Sequence, residues 1–318
     1  MTRVAAIDCG TNSIRLLIAD VDTASGTLTD LSRTMTVVRL GQGVDRTGEF
    51  AAEALERTFA ATDEIAAKCR EAGVEAIRFV ATSATRDARN RDVFLEGVRE
   101  RLGVTPEVIS GDEEARLSFR GATSVLDASH DAPYLVVDLG GGSTEVVLGS
   151  DTPSAAHSMD VGCVRMTERH LVSDPPESDE IAAATADIHD AIDKAFEGVP
   201  IGQTRTLVGL AGSITTITAH ALGLHEYSRE RINGAVIPID AAIKACDELL
   251  HASHDSRAAL GFMHPGRVDV IGAGALVWRT LMGRVRTAVQ ENGGELPHVV
   301  TSEHDILDGI AFSAAERL

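Results

Sequence analysis

The chain has 318 residues, enough for two domains with cores of their own. Its 48 acidic residues against 29 basic ones give a net charge of −19, which argues against a broad nucleic-acid surface or attachment to an anionic membrane. No apolar run reaches the ~18 residues that a membrane span requires.

In chain order, three strands are predicted at 3–8, 13–21 and 33–40. An amphipathic helix follows over 51–71, with Leu55, Phe59, Ile65 and Cys69 on one face and Gly73 as its stop. A buried strand at 76–81, a helix over 86–102, a short strand at 107–110 and a helix over 112–126 complete a first unit. Strands alternating with helices imply an α/β sheet that opens on an antiparallel hairpin. The polar stretch 127–131 is the expected boundary, giving domains 1–126 and 127–318, with the last helix able to pack back on the first.

The second unit repeats the plan. Strands are predicted at 134–138, 143–149, 154–161, 206–210 and 299–301, and helices near 164–171, 179–196, 214–222, 239–251 and 268–289. Pro175 and Pro176 mark 173–178 as a loop.

The repetition is sharpest in two turns. Asp8-Cys9-Gly10-Thr11-Asn12-Ser13-Ile14-Arg15 is echoed at a constant spacing of 130 residues by Asp138-Leu139-Gly140-Gly141-Gly142-Ser143-Thr144-Glu145. Each reads as strand, tight polar turn, strand. Such turns offer several backbone N–H groups to one point, which is how a phosphate is held. Two of them facing each other across a cleft would grip a polyphosphorylated ligand from both sides. Gly10, Thr11, Asn12 and Ser13, with Gly140, Gly141, Gly142 and Ser143, are the expected phosphate-binding residues. Asp138 and Glu145 lie around the second turn where both carboxylates can share a hard cation. Magnesium, or manganese, suits so small a set of protein ligands. Asp8 is the matching acid on the first turn, placed to reach the metal through water. Arg15 stands where the second copy has Glu145, a base for substrate against an acid for metal.

Arg15, Arg86 and Arg267 are the arginines expected on the phosphate chain, because a guanidinium binds phosphate oxygens through paired N–H groups and keeps its charge. For Arg267 a surface pair with Asp269 is the alternative, and for Arg86 a role in holding the turn 82–86. Gly212 and Ser213, in the segment Gly209-Leu210-Ala211-Gly212-Ser213 between a strand and a helix, either bind phosphate through their amides or serve tight strand–helix packing. Four cysteines without C-x-x-C spacing, and no leader before Val4, read as reduced thiols in a cytoplasmic protein. The eleven histidines are scattered, and none is assigned to metal.

Taken together with Thr82-Ser83-Ala84-Thr85-Arg86, Ile109-Ser110-Gly111-Asp112-Glu113-Glu114-Ala115-Arg116-Leu117, His264-Pro265-Gly266-Arg267-Val268-Asp269-Val270 and Thr301-Ser302-Glu303, these motifs resemble the exopolyphosphatase and guanosine pentaphosphate phosphohydrolase (Ppx/GppA) family over essentially the whole chain. The resemblance implies duplicated actin-like domains of the actin, sugar-kinase and Hsp70 superfamily (ribonuclease H-like), with a cleft between them, and a homodimer. The chain stops at Leu318 and so resembles the short, two-domain form. His304-Asp305 reads as the start of the last helix. In the family the second glutamate, here Glu114, is the proposed general base that activates water. Its acidic neighbours would raise its basicity by like-charge repulsion.

The expected activity is release of terminal phosphate from inorganic polyphosphate. The alternatives are guanosine pentaphosphate hydrolysis, a phosphotransferase of the same fold, which would make a phosphorylated acceptor, and a noncatalytic alarmone sensor. The joint presence of Glu114, Asp138 and Glu145 argues against the last.

Overall fold

A computed structural model describes residues 1–124, 126 and 129–317. Strand β1 (Thr2–Cys9) is buried over its last six residues, as befits a strand covered on both faces. It pairs antiparallel with β2 (Ser13–Asp22), which pairs with β3 (Thr27–Val37). After α1 (Val44–Thr47) and α2 (Ala52–Ala72), β4 (Ala76–Ala81) returns parallel to β1. Gly73 ends α2 with φ 66°, its N–H bonded to the carbonyls of Arg70 and Cys69. The helix predicted over 86–102 is two helices, α3 (Ser83–Asp87) and α4 (Arg91–Leu102). They part because Ala88 is extended and the Asn90 side chain bonds both the N–H and the carbonyl of Phe50. Next come β5 (Glu107–Val108), shorter than predicted, and α5 (Gly111–Thr123). The sheet order is β3-β2-β1-β4-β5. Ala5, Ile7, Ile14, Leu16, Phe79 and Phe94 are central to the core on one face.

The second sheet is built from β6 (Tyr134–Leu139), β7 (Thr144–Gly149) and β8 (Pro153–Met159). Helices α6 (Cys163–His170) and α7 (Ser178–Gly198) lead to β9 (Thr206–Leu210) and α8 (Ala211–Ala221). Then follow α9 (Arg229–Ile232), β10 (Val236–Pro238), α10 (Ile239–His251) and α11 (His254–Ala258). The predicted helix at 268–289 starts later, as α12 (Ile271–Glu291), because Pro265–Arg267 form a separate 3₁₀ turn. After β11 (His298–Thr301), the chain ends on α13 (Ile306–Glu316). The order β10-β11-β9-β6-β7-β8, read backwards from β8, repeats the first sheet with β10 added at the edge. The two sheets thus repeat one α/β plan.

By contacts, the units are 1–121 with 306–318, and 122–305. The boundary expected at 126–127 adjoins residues 125, 127 and 128, which lie outside the described residues. Helix α13 belongs with the first unit, packing Ile306, Leu307, Ile310 and Ala311 against Val4, Ala6, Leu17 and Val80. Its buried Asp308 takes Arg33 at 2.7 Å, and Ser313 takes Arg78. Among the described residues, no helix is long and apolar enough to cross a membrane.

Candidate active site

The two repeated turns have the same construction. Asp8 faces Arg15 across the first hairpin and Asp138 faces Glu145 across the second. Each turn closes with one bond of 3.0 Å, Gly10 N–H to the Ser13 carbonyl and Gly140 N–H to the Ser143 carbonyl.

Each turn is also held from behind by the segment that follows the third strand of its sheet. In the first unit the Thr11 carbonyl accepts from Gly41 N–H at 2.8 Å, and the Asn12 carbonyl from Val38 and Arg39 at 3.1 and 2.8 Å. In the second, the Gly140 carbonyl accepts from Cys163 at 3.0 Å and the Gly141 carbonyl from Val164 and Arg165 at 2.8 and 3.1 Å. Arg165 Nε adds a bond of 2.7 Å to the Gly142 carbonyl. A trans peptide directs its N–H opposite to its C=O. The N–H groups of Asn12 and Ser13, and of Gly141, Gly142 and Ser143, therefore point away from these supports, as a phosphate cradle requires.

Both supports depend on a glycine that sequence reading passed over. A Cβ at Gly41 would lie 2.3 Å from Thr11 Cγ2, and one at Gly162 would lie 2.5 Å from the backbone of Gly141. Arg39, at φ 50°, and Arg165 were missed with them. The available signal was a glycine soon after the third strand of each repeat.

In the first unit, the arginines expected on phosphate are met by carboxylates. Arg15 donates through Nη2 and Nε to Asp8 Oδ2 at 2.6 and 3.0 Å. Arg86 donates to Glu114 Oε2 at 2.7 Å and to the Ile109 carbonyl at 3.1 Å. Glu114 is buried at the start of α5. The acidic run is met by cations: Arg86 bonds Glu114 itself, and Arg78 bonds Glu113.

In the second unit Asp138 and Glu145 are both buried. Glu145 Oε1 accepts from Ser158 at 2.7 Å. Among the described residues, no three His, Cys, Asp or Glu side chains are grouped to hold a metal. Asp8 bonds Arg15 through Oδ2, and Asp138 and Glu145 stand directly opposite one another across the second hairpin. Two hard oxygen ligands from buried carboxylates fit a magnesium ion, which fills its remaining positions with water and phosphate oxygens.

The segment 209–213 divides by role. Gly209 serves packing, since a Cβ there would strike Ile214 and Trp278. Ala211 holds φ 70°, an uncommon conformation for a residue with a side chain. Gly212 leaves room for the Arg267 guanidinium, which a Cβ would meet at 2.3 Å. Arg267 donates to Thr216 Oγ1 at 3.1 Å, and Thr216 in turn donates to the Gly212 carbonyl at 2.7 Å. Asp269, the alternative partner, is met by His254 at 3.3 Å. The Ser213 hydroxyl is turned inward to Cys163, so only its backbone N–H is left as a candidate contact. Burial pushes the Cys163 thiol up, against nucleophilic use. Tyr227 donates to Glu303, and burial raises both above their ordinary values, with the Arg267 charge pulling the other way.

A model of the Ppx/GppA phosphatase family matches residues 17–290. Exopolyphosphatase 2 of Mycobacterium tuberculosis is 49% identical over 322 residues, covering 99% of each chain. A guanosine-5'-triphosphate,3'-diphosphate pyrophosphatase of Pseudoalteromonas atlantica is 33% identical over 215 residues, 67% of this chain and 42% of that protein. The crystal structure of an exopolyphosphatase-like protein superposes with a TM-score of 0.96 at 47% identity, covering 99% of both chains.

Proposed function

We infer that this chain, which belongs to the Ppx/GppA phosphatase family, is an exopolyphosphatase, a hydrolase that releases terminal orthophosphate from inorganic polyphosphate. Within the molecule, the observation that carries the reading is the pair of supported turns, each with its N–H groups turned away from its support. A ligand that is nothing but linked phosphates is the chemistry such turns serve.

We assign the following roles. The N–H groups of Asn12, Ser13, Gly141, Gly142 and Ser143 bind phosphate oxygens. Glu114, oriented by Arg86, takes the proton of the attacking water. The water oxygen forms a bond to the terminal phosphorus, the bridging P–O bond breaks, and the chain leaves one phosphate shorter with the electron pair of that bond. Asp138 and Glu145 hold a divalent cation, magnesium or manganese, which when bound neutralises charge on the phosphate oxygens. Positioning and charge neutralisation dominate phosphoryl transfer, and these groups supply both. A cytoplasmic location and a homodimer belong to the same reading. The four cysteines, all buried and unbridged, suit a reducing compartment.

The test is phosphate release from long polyphosphate, tripolyphosphate, guanosine pentaphosphate and ATP, measured side by side. Long polyphosphate should give the highest kcat/KM. A higher value for guanosine pentaphosphate would move the chain to the activity named for the Pseudoalteromonas relative, and transfer to an acceptor without free phosphate would make it a phosphotransferase.

A further inference from the structure

The second hairpin does not end the row of side chains that contains the assigned metal ligands. Residues directly opposite one another across neighbouring strands share a face of the sheet. In the first unit such a row runs Asp8, Arg15, Met35, and in the second it runs Asp138, Glu145, Ser158. The first row is complete in itself, an acid neutralised by a base with a thioether beyond. The second puts two acids side by side and follows them with a hydroxyl.

That hydroxyl is engaged with the acid next to it. Ser158 Oγ donates to Glu145 Oε1 at 2.7 Å, and Glu145 is only 1% exposed. A carboxylate is planar, so fixing one oxygen with a short hydrogen bond fixes where the other points. Outer partners of metal-binding carboxylates act in this way, by holding the ligand in the orientation that the ion requires. The methionine at the corresponding place in the first unit has no O–H to donate, and Arg15 there needs none.

We propose that Ser158 is a positioning residue for the divalent-cation site, setting the orientation of Glu145 and through it the affinity for the metal. This rests on the assignment of Glu145 as a metal ligand made above. The contact of Ser158 is with Glu145, and no contact of its own with the ion or the phosphate is assigned to it. Its removal should act on metal affinity, in a protein that has bound no substrate.

The experiment is a titration of Mn²⁺ into the substrate-free protein, with free Mn²⁺ read by electron paramagnetic resonance. The wild type is compared with Ser158→Ala, Ser158→Thr and Glu145→Gln, each checked for native fold by circular dichroism. Ser158→Ala should weaken Mn²⁺ binding about 10-fold, the lower end of what outer partners of metal ligands contribute. Ser158→Thr, which keeps the hydroxyl, should restore it, and Glu145→Gln should bind no tighter than Ser158→Ala. The metal concentration for half-maximal phosphate release should rise in Ser158→Ala by the same factor. If Ser158→Ala binds Mn²⁺ like the wild type while Glu145→Gln does not, the positioning role is overturned and the metal ligand stands. If Glu145→Gln also binds like the wild type, both are overturned.

Discussion

At the scale of single residues, the structure changes the account of Glu114 more than that of any other group. A carboxylate bonded by a guanidinium at 2.7 Å is held in one orientation, and position is what such a contact contributes to a base. Glu114→Gln preserves the shape and can still meet Arg86, but it cannot take a proton. The expected result is a fall in kcat of ~10²–10⁴-fold, with polyphosphate binding retained. Glu113→Gln should be mild by comparison, because Glu113 is only half-buried and its carboxylate is bound to Arg78. Single-turnover rates on both variants check this, and a near-normal rate in Glu114→Gln would remove that residue from the chemistry. The Arg86–Glu114 contact was not legible in the sequence. The two residues are 28 apart and meet only because α3 follows β4 and α5 follows β5, neighbouring parallel strands of one sheet.

At the scale of elements, the hairpins were legible because the repeat is ungapped across turn and both strands, so the pattern of acid, glycine and apolar run survives in both copies. Their supports were not. The supporting glycines Gly41 and Gly162 are 121 residues apart where the turns are 130 apart, since the connections differ in length, and no constant spacing reveals them. Strand β3 was predicted to begin at 33 and begins at Thr27. It is the edge of its sheet and half solvated, so its polar first half carries little apolar signal. The supports are nonetheless testable. At Gly162 a methyl group would meet backbone, which has no rotamer to escape into. Gly162→Ala should therefore displace the Gly140–Ser143 turn, costing about 1–3 kcal/mol of stability and raising KM for polyphosphate. Ala substitution at Gly198, where nothing lies within 4 Å of the added carbon, is the control. Thermal melts and KM for the two variants decide the matter. Equal behaviour would mean that the turn does not need its support.

At the scale of the whole molecule, a net charge of −19 sets the protein against its own polyanionic substrate. Long-range attraction cannot bring polyphosphate in, so affinity has to come from short-range contacts that salt screens only in part. In the proposed reading the turns hold the phosphates at the reacting end. Arg267 lies against Gly212 and is held to α8 by Thr216, which keeps its guanidinium in one place. We propose that it meets a phosphate beyond the terminal one. Long chains reach it, and tripolyphosphate, which ends early, gains less from it. Arg267→Ala should accordingly lower kcat/KM for long polyphosphate more than for tripolyphosphate, through KM more than kcat. Raising the salt should narrow that difference, because the lost contact is a charge on a charge, while screening of the overall repulsion helps wild type and variant alike. Steady-state kinetics on the two substrates at low and high ionic strength measure both effects. If Arg267→Ala depresses all chain lengths equally, the guanidinium acts at the reacting phosphate or only braces Gly212 and Thr216, and the longer chain must be held by other groups.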